Sequence, residues 1–126
     1  LDAELAADFS GLADTVAELL DRAELTQALD VIWQRVRRLN RYVEERAPWQ
    51  LAKDPAAAEV LDQTLASVVE GIRVVSVLLH PYMPVSVEKL LGALGTPELT
   101  LTGATFAAHA TAGQVTALDP LFPKRA

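Results

Sequence analysis

Arg35, Arg37, Arg38, Arg41 and Arg46 crowd one stretch that ends in Ala47-Pro48-Trp49 and is followed by Lys53. Guanidinium and ammonium groups pair with phosphate, and an indole beside them can stack on a base. The chemistry on offer is therefore recognition of nucleic acid, RNA in particular. On a helix Arg38, Arg41 and Glu45 share one face, while Arg37 and Arg41 are neighbours one turn apart. The competing reading pairs these arginines with acidic residues on adjacent helices, where they merely solubilise the fold. Pro48 tips the balance, because it ends the helix and leaves Trp49 in a connection between helices. Base stacking on such a ring contributes roughly 1–3 kcal/mol. The alternative for Trp49 is a lid folded over the end of the helices, with its N–H on a carbonyl. Trp33, beside the apolar Ile32, is better read as packing in the core or on its flank.

Residue patterns for catalysis are missing. There is no glycine-rich phosphate loop before a helix and no His-Glu-x-x-His pair. His80 and His109 stand in different contexts, and His80 fits a helix C-terminus, where a positive charge is welcome. Glu44 and Glu45 are adjacent, so on a helix they point about 100° apart and cannot converge on one substrate atom. With no cysteine in the chain, disulfides, thiolate metal sites and cysteine nucleophiles are excluded.

The elements that must position the arginines and Trp49 are helices. Three apolar stripes recur at alternating spacings of four and three: Leu5, Phe9, Leu12, Val16, Leu19; then Leu25, Leu29, Ile32, Val36, Leu39, Val43; then Leu61, Leu65, Val68, Ile72, Val75, Leu79. The expected fold class is all-α: an antiparallel bundle of three long helices and one short one, with an irregular C-terminal tail. The first helix should give way near Asp21–Glu24, and the second should stop at Pro48. Asp54-Pro55 should open the third as a cap followed by proline at the first helical position. Pro81 and Pro84 should end it, and a short helix from about Pro84 to Leu94 should close on Gly95. Residues 1–95 are thus expected to form the bundle and 96–126 an extended tail packing back on it. Leu99-Thr-Leu-Thr102 is a candidate strand, and Leu121, Phe122 and Pro123 a candidate anchor.

The 126 residues suffice for one core. The net charge of −6 seems to argue against a nucleic-acid partner, but it hides an asymmetry. Between Arg35 and Lys53 six basic residues face two acidic ones, whereas the remainder holds five basic and fifteen acidic. Such a body repels a polyanion everywhere except at the patch. No apolar run reaches the roughly 18–20 residues of a membrane span, and no signal peptide opens the chain, which fits a cytoplasmic protein. Because the first residue is Leu1 and not methionine, the chain is expected to be part of something longer.

The run Ala28-Leu-Asp-Val-Ile-Trp33, then Leu39-Asn-Arg-Tyr-Val43, then Ala47-Pro-Trp-Gln-Leu-Ala-Lys-Asp54 resembles the anticodon-binding domain of bacterial methionyl-tRNA synthetases. Leu79-His-Pro-Tyr-Met-Pro84, Glu88-Lys-Leu-Leu91, Leu94-Gly95 and Pro120-Leu-Phe-Pro-Lys124 are similar to the family's closing segments, in the same order. The resemblance implies a helix-bundle domain of a class I aminoacyl-tRNA synthetase that holds the tRNA anticodon. The catalytic domain of the same polypeptide would use ATP and magnesium to attach methionine, with no cofactor in the present chain. It makes Trp49 the base-stacking residue, supported by Pro48. Arg37, Arg38, Arg41, Arg46 and Lys53 become candidate backbone contacts, and Asn40 and Tyr42 packing residues.

The family's other anticodon readers, an asparagine and an arginine, sit on an earlier helix expected before Leu1. The catalytic signatures and any metal knuckle are also missing from this sequence, so no catalytic residue is assigned to it. Lacking that first helix, the bundle should leave apolar surface uncovered. Two other readings stand beside this one. The first is the matching domain of an isoleucine, valine, leucine or cysteine synthetase. The second is a non-enzymatic helical module that docks on an acidic protein through its arginine face.

Overall fold

The computed structural model describes residues 2–95 together with Leu99, Ala104, Phe106 and Leu121. Six helices follow one another: α1 (Ala3–Phe9), α2 (Leu12–Asp21), α3 (Leu25–Arg46), α4 (Pro48–Leu51), α5 (Ala58–Leu79) and α6 (Pro84–Leu94). A single 3₁₀ turn, Pro55–Ala57, leads into α5. The all-α bundle expected from the apolar stripes is present, and the described residues contain no strand.

The stripe from Leu5 to Leu19 is carried by two helices and not by one. Ser10 is extended and Gly11 takes φ 74°, a conformation in which an L side chain is strained. Open space surrounds the position where a Cβ on Gly11 would lie, so backbone freedom and not room is what glycine supplies. The break escapes the periodicity because Phe9 and Leu12, on either side of it, still bury on the same core.

The other boundaries follow local chemistry. α2 ends at Asp21, and just beyond it Ala23 turns left-handed (φ 58°), its amide and that of Glu24 donating back to the Leu20 and Leu19 carbonyls. Asp54 Oδ1 accepts from the Ala56 amide at 3.0 Å, ahead of Pro55, as an aspartate cap should. Gly95, at φ 75°, closes α6. His80 ends α5, with its Nε2 3.1 Å from Glu88 Oε1. The candidate strand at 99–102 and His109 lie outside the described residues, Leu99 apart.

The buried faces of α3 and α5 depart from the simple stripes. On α3 the buried set is Ala28, Ile32, Leu39 and Tyr42, whereas Leu25 is 57% exposed. On α5, Leu65 is exposed while Thr64, Ser67, Glu70 and Gly71 are buried. The reason is that both long helices have two working faces. One side of α3 meets α1 and α2. The other, through Trp33, Val36 and Val43, lines an apolar groove of about 280 Å³ with Val68, Ile72 and Val75 of α5. Met83, Val87 and Leu90 also line it, as does Leu121 of the expected anchor. Phe122 and Pro123 lie outside the described residues.

From Arg73 to Leu79 every α5 residue is buried, so the last third of the helix runs through the core of the bundle. Gly71 lets α3 approach it closely: a Cβ there would sit 2.4 Å from Leu39 Cδ2. Beside it Glu70 and Arg73 form a buried ion pair, with Arg73 Nε donating to Oε1 at 2.5 Å and Nη2 to Oε2 at 3.0 Å.

Candidate nucleic-acid interface

At the end of α3 the chain turns a strained corner. Ala47 adopts φ 45° and ψ 64°, its amide donating to the Val43 carbonyl. A non-glycine residue in this region costs about 1–3 kcal/mol and persists only where its surroundings hold it. Pro48 then opens α4 at the first helical position, and the Gln50 amide donates back to the Ala47 carbonyl at 2.8 Å. Trp49 follows on this turn, 53% exposed, so it is not a lid buried on the bundle end. The connection expected around it is a helical turn, which gives the indole a more rigid base than a loop would. Pro48 is half-buried.

The basic residues divide sharply. Arg38 is drawn inward: its Nε donates to Asp8 Oδ2 at 2.6 Å, and Nη1 lies 3.7 Å from Glu45 Oε2. Asp8, through that hydrogen bond, raises the affinity of this guanidinium for its proton above the ordinary arginine range. Arg46 donates to Asp2 Oδ2 at 2.5 Å, and Arg35 Nε to the Asp8 carbonyl at 2.7 Å. Both Arg38 and Arg46 stand over the ring of buried Tyr42, at 5.9 and 5.6 Å from its centroid. Arg41 is 65% exposed and only loosely paired with Glu45 at 3.6 Å. Arg37 and Lys53 are exposed and have no acidic partner among the described residues. Of the five candidate phosphate contacts, Arg37, Arg41 and Lys53 therefore point to solvent. Arg38 and Arg46 brace the bundle.

Sequence reasoning missed the partners of that brace. Asp2 is buried and caps α1, its Oδ1 accepting from the Glu4 and Leu5 amides at 3.0 and 3.1 Å. An aspartate before an Ala-Glu-Leu helix start was a readable cap signal, but its tie to Arg46 was not. The Leu5 amide, followed by Arg46 and the Glu4 amide, holds the Asp2 carboxyl below the ordinary 3.8, against the opposing effect of burial. Folding thus favours ionised Asp2. That stabilisation is complete above about pH 4 and is lost as the pH falls through the lowered folded value. Urea unfolding of the native chain and of Asp2→Asn should show a stability gap at pH 6 that narrows steadily below pH 3.8. A gap independent of pH would deny the carboxylate this role.

Among the described residues no group of His, Asp and Glu is placed to hold a metal ion, and no helix is long and apolar enough to cross a membrane. An exposed indole on a fixed corner, with unpaired cations on the adjoining elements of an all-helical bundle, is the build of a helical recognition domain. The sequence model of the anticodon binding domain of methionyl tRNA ligase matches residues 1–124, and the chain belongs to this family. It is 34% identical over 108 residues to the methionine–tRNA ligase of Bacillus subtilis (strain 168), covering 83% of this chain and 16% of that one. For the Deinococcus radiodurans methionine–tRNA ligase the figures are 39% identity over 92 residues, 73% of this chain and 14% of the relative. For that of Enterococcus faecalis they are 31% over 126 residues, 98% and 19%. The chain thus spans less than a fifth of the length of these relatives.

Proposed function

We propose that the corner formed by Ala47, Pro48 and Trp49 receives an anticodon base of tRNA by stacking, within a longer, cytoplasmic methionine–tRNA ligase. The observation that supports this reading most directly is the half-exposed Trp49 ring on a short helical turn. Arg37, Arg41 and Lys53 are the phosphate contacts, whereas Arg38 and Arg46 act through the fold. Attachment of methionine belongs to a catalytic domain elsewhere in the same polypeptide, which uses ATP and magnesium. The chain described here needs neither to bind RNA.

Titration with the anticodon stem-loop of methionine tRNA tests the reading, with tryptophan emission as the signal. Quenching that saturates and is lost at high salt is the expected result. Arg37→Ala and Lys53→Ala should each lower the salt slope by about one, as loss of a single phosphate contact does. Arg38→Ala should instead lower the unfolding midpoint and affect binding only to the extent that the fold loosens. Saturation by an acidic protein, with no response to RNA, would replace this reading with that of a protein-docking module.

A further inference from the structure

We propose that Asp2 is a positioning residue for Trp49: its carboxylate clamps the last turn of α3 and so fixes the corner from which the indole projects. This deepens the reading of Trp49 given above and rests on it. The clamp is built from three helices. Oδ1 of Asp2 is taken by the Glu4 and Leu5 amides, which leaves Oδ2 for Arg46 Nη2 at 2.5 Å and the Tyr42 hydroxyl at 3.4 Å. The Asp2 amide donates to Ser67 Oγ at 2.8 Å, and that hydroxyl donates in turn to the Gln63 carbonyl at 2.8 Å. One residue therefore ties the start of α1, the end of α3 and the middle of α5.

The place where it acts is the point of greatest strain nearby. Arg46 is the last residue of α3, and left-handed Ala47 follows it directly. Capping α1 needs only one carboxylate oxygen. The second is spent on the residue next to the strained corner, three positions before Trp49. Tyr42, 2% exposed, seats the Arg46 guanidinium against its ring from below. The brace thus holds Arg46 by charge and by stacking, and the direction of the following turn is set by what Arg46 can do.

The test uses the 126-residue chain with Trp33→Phe, so that Trp49 is the only indole in it, and reads two signals: time-resolved anisotropy of Trp49 and affinity for the anticodon stem-loop of methionine tRNA. Asp2→Asn retains a good cap, since asparagine caps as well as aspartate, while it removes the charge that holds Arg46. Asp2→Asn and Arg46→Met should each raise the amplitude of fast indole motion about twofold, the change from an ordered to a mobile group. Each should weaken RNA binding about two- to tenfold, the effect of losing one preorganised side chain. Arg46→Lys should restore part of the order. Because Asp2 acts through Trp49, Asp2→Asn should weaken binding no further in a Trp49→Ala background.

Unchanged indole motion in both variants would overturn the proposal. So would equal losses of affinity with and without Trp49, which would mark a purely structural role. Tighter binding by Asp2→Asn would also overturn it, since Arg46 would then be a phosphate contact held back by Asp2. If Trp49→Ala leaves RNA affinity unchanged, the stacking reading fails by itself, and the anisotropy still decides whether the clamp holds the indole.

Discussion

Replacing Trp49 by alanine in the full-length ligase to which we assign this chain should lower kcat/KM for tRNA aminoacylation roughly 5- to 150-fold, the loss of one base stack of about 1–3 kcal/mol. ATP-dependent methionine activation, measured without tRNA, should stay within about twofold of the native rate, because that step makes no use of the anticodon. The split between the two activities is the point. Trp49 is half-exposed on a four-residue helix that buries none of its side chains, so its removal should cost little stability. Equal loss of both activities would show that the indole holds the fold, and the stacking assignment would fall. Trp49→Phe should recover much of the tRNA activity, since a smaller aromatic face still stacks.

The largest effect on stability is expected at the pair within α5. Glu70 and Arg73 are 0% and 1% exposed and joined by two hydrogen bonds. Truncating one partner of a buried ion pair costs about 3–5 kcal/mol, because the other charge loses its nearest compensation. Glu70→Ala should therefore leave much of the chain unfolded at temperatures where the native protein is intact, as read by helical circular dichroism. The double variant Glu70→Leu/Arg73→Met should recover most of that loss, because well-packed apolar groups replace a buried pair at little or no cost. Failure of the double variant to improve on Glu70→Ala would mean that Arg73 serves the fold through other partners more than through Glu70.

Local signals were legible in the sequence and long-range ones were not. Pro48, the Asp54-Pro55 pair, Pro84 and Gly95 act on the backbone within a residue or two, and each boundary they mark stands where expected. Ser10–Gly11 was missed because a break that preserves the spacing of buried positions is silent to periodicity. The burial of Thr64, Ser67 and Glu70 was missed for a different reason: α5 turns polar residues inward where Asp2 and Leu39 meet it. Trp49 was readable as an exposed ring because proline and a helix end constrain it locally. The sorting of the arginines was not, since Arg38 and Arg46 are claimed by carboxylates 30 and 44 positions away. The choice between a surface cation and a brace rests on tertiary contacts, and charge patterning does not contain them.

The close approach at Gly71 has a mechanical consequence. α3 and α5 each contain 22 residues and run some 33 Å end to end at 1.5 Å per residue. Leu39 seats against α5 where no Cβ intervenes, and Arg73 to Leu79 are enclosed on every side. A larger side chain at position 71 would have to push the Leu39 tip aside, so the spacing of the two long helices at this level depends on the missing Cβ.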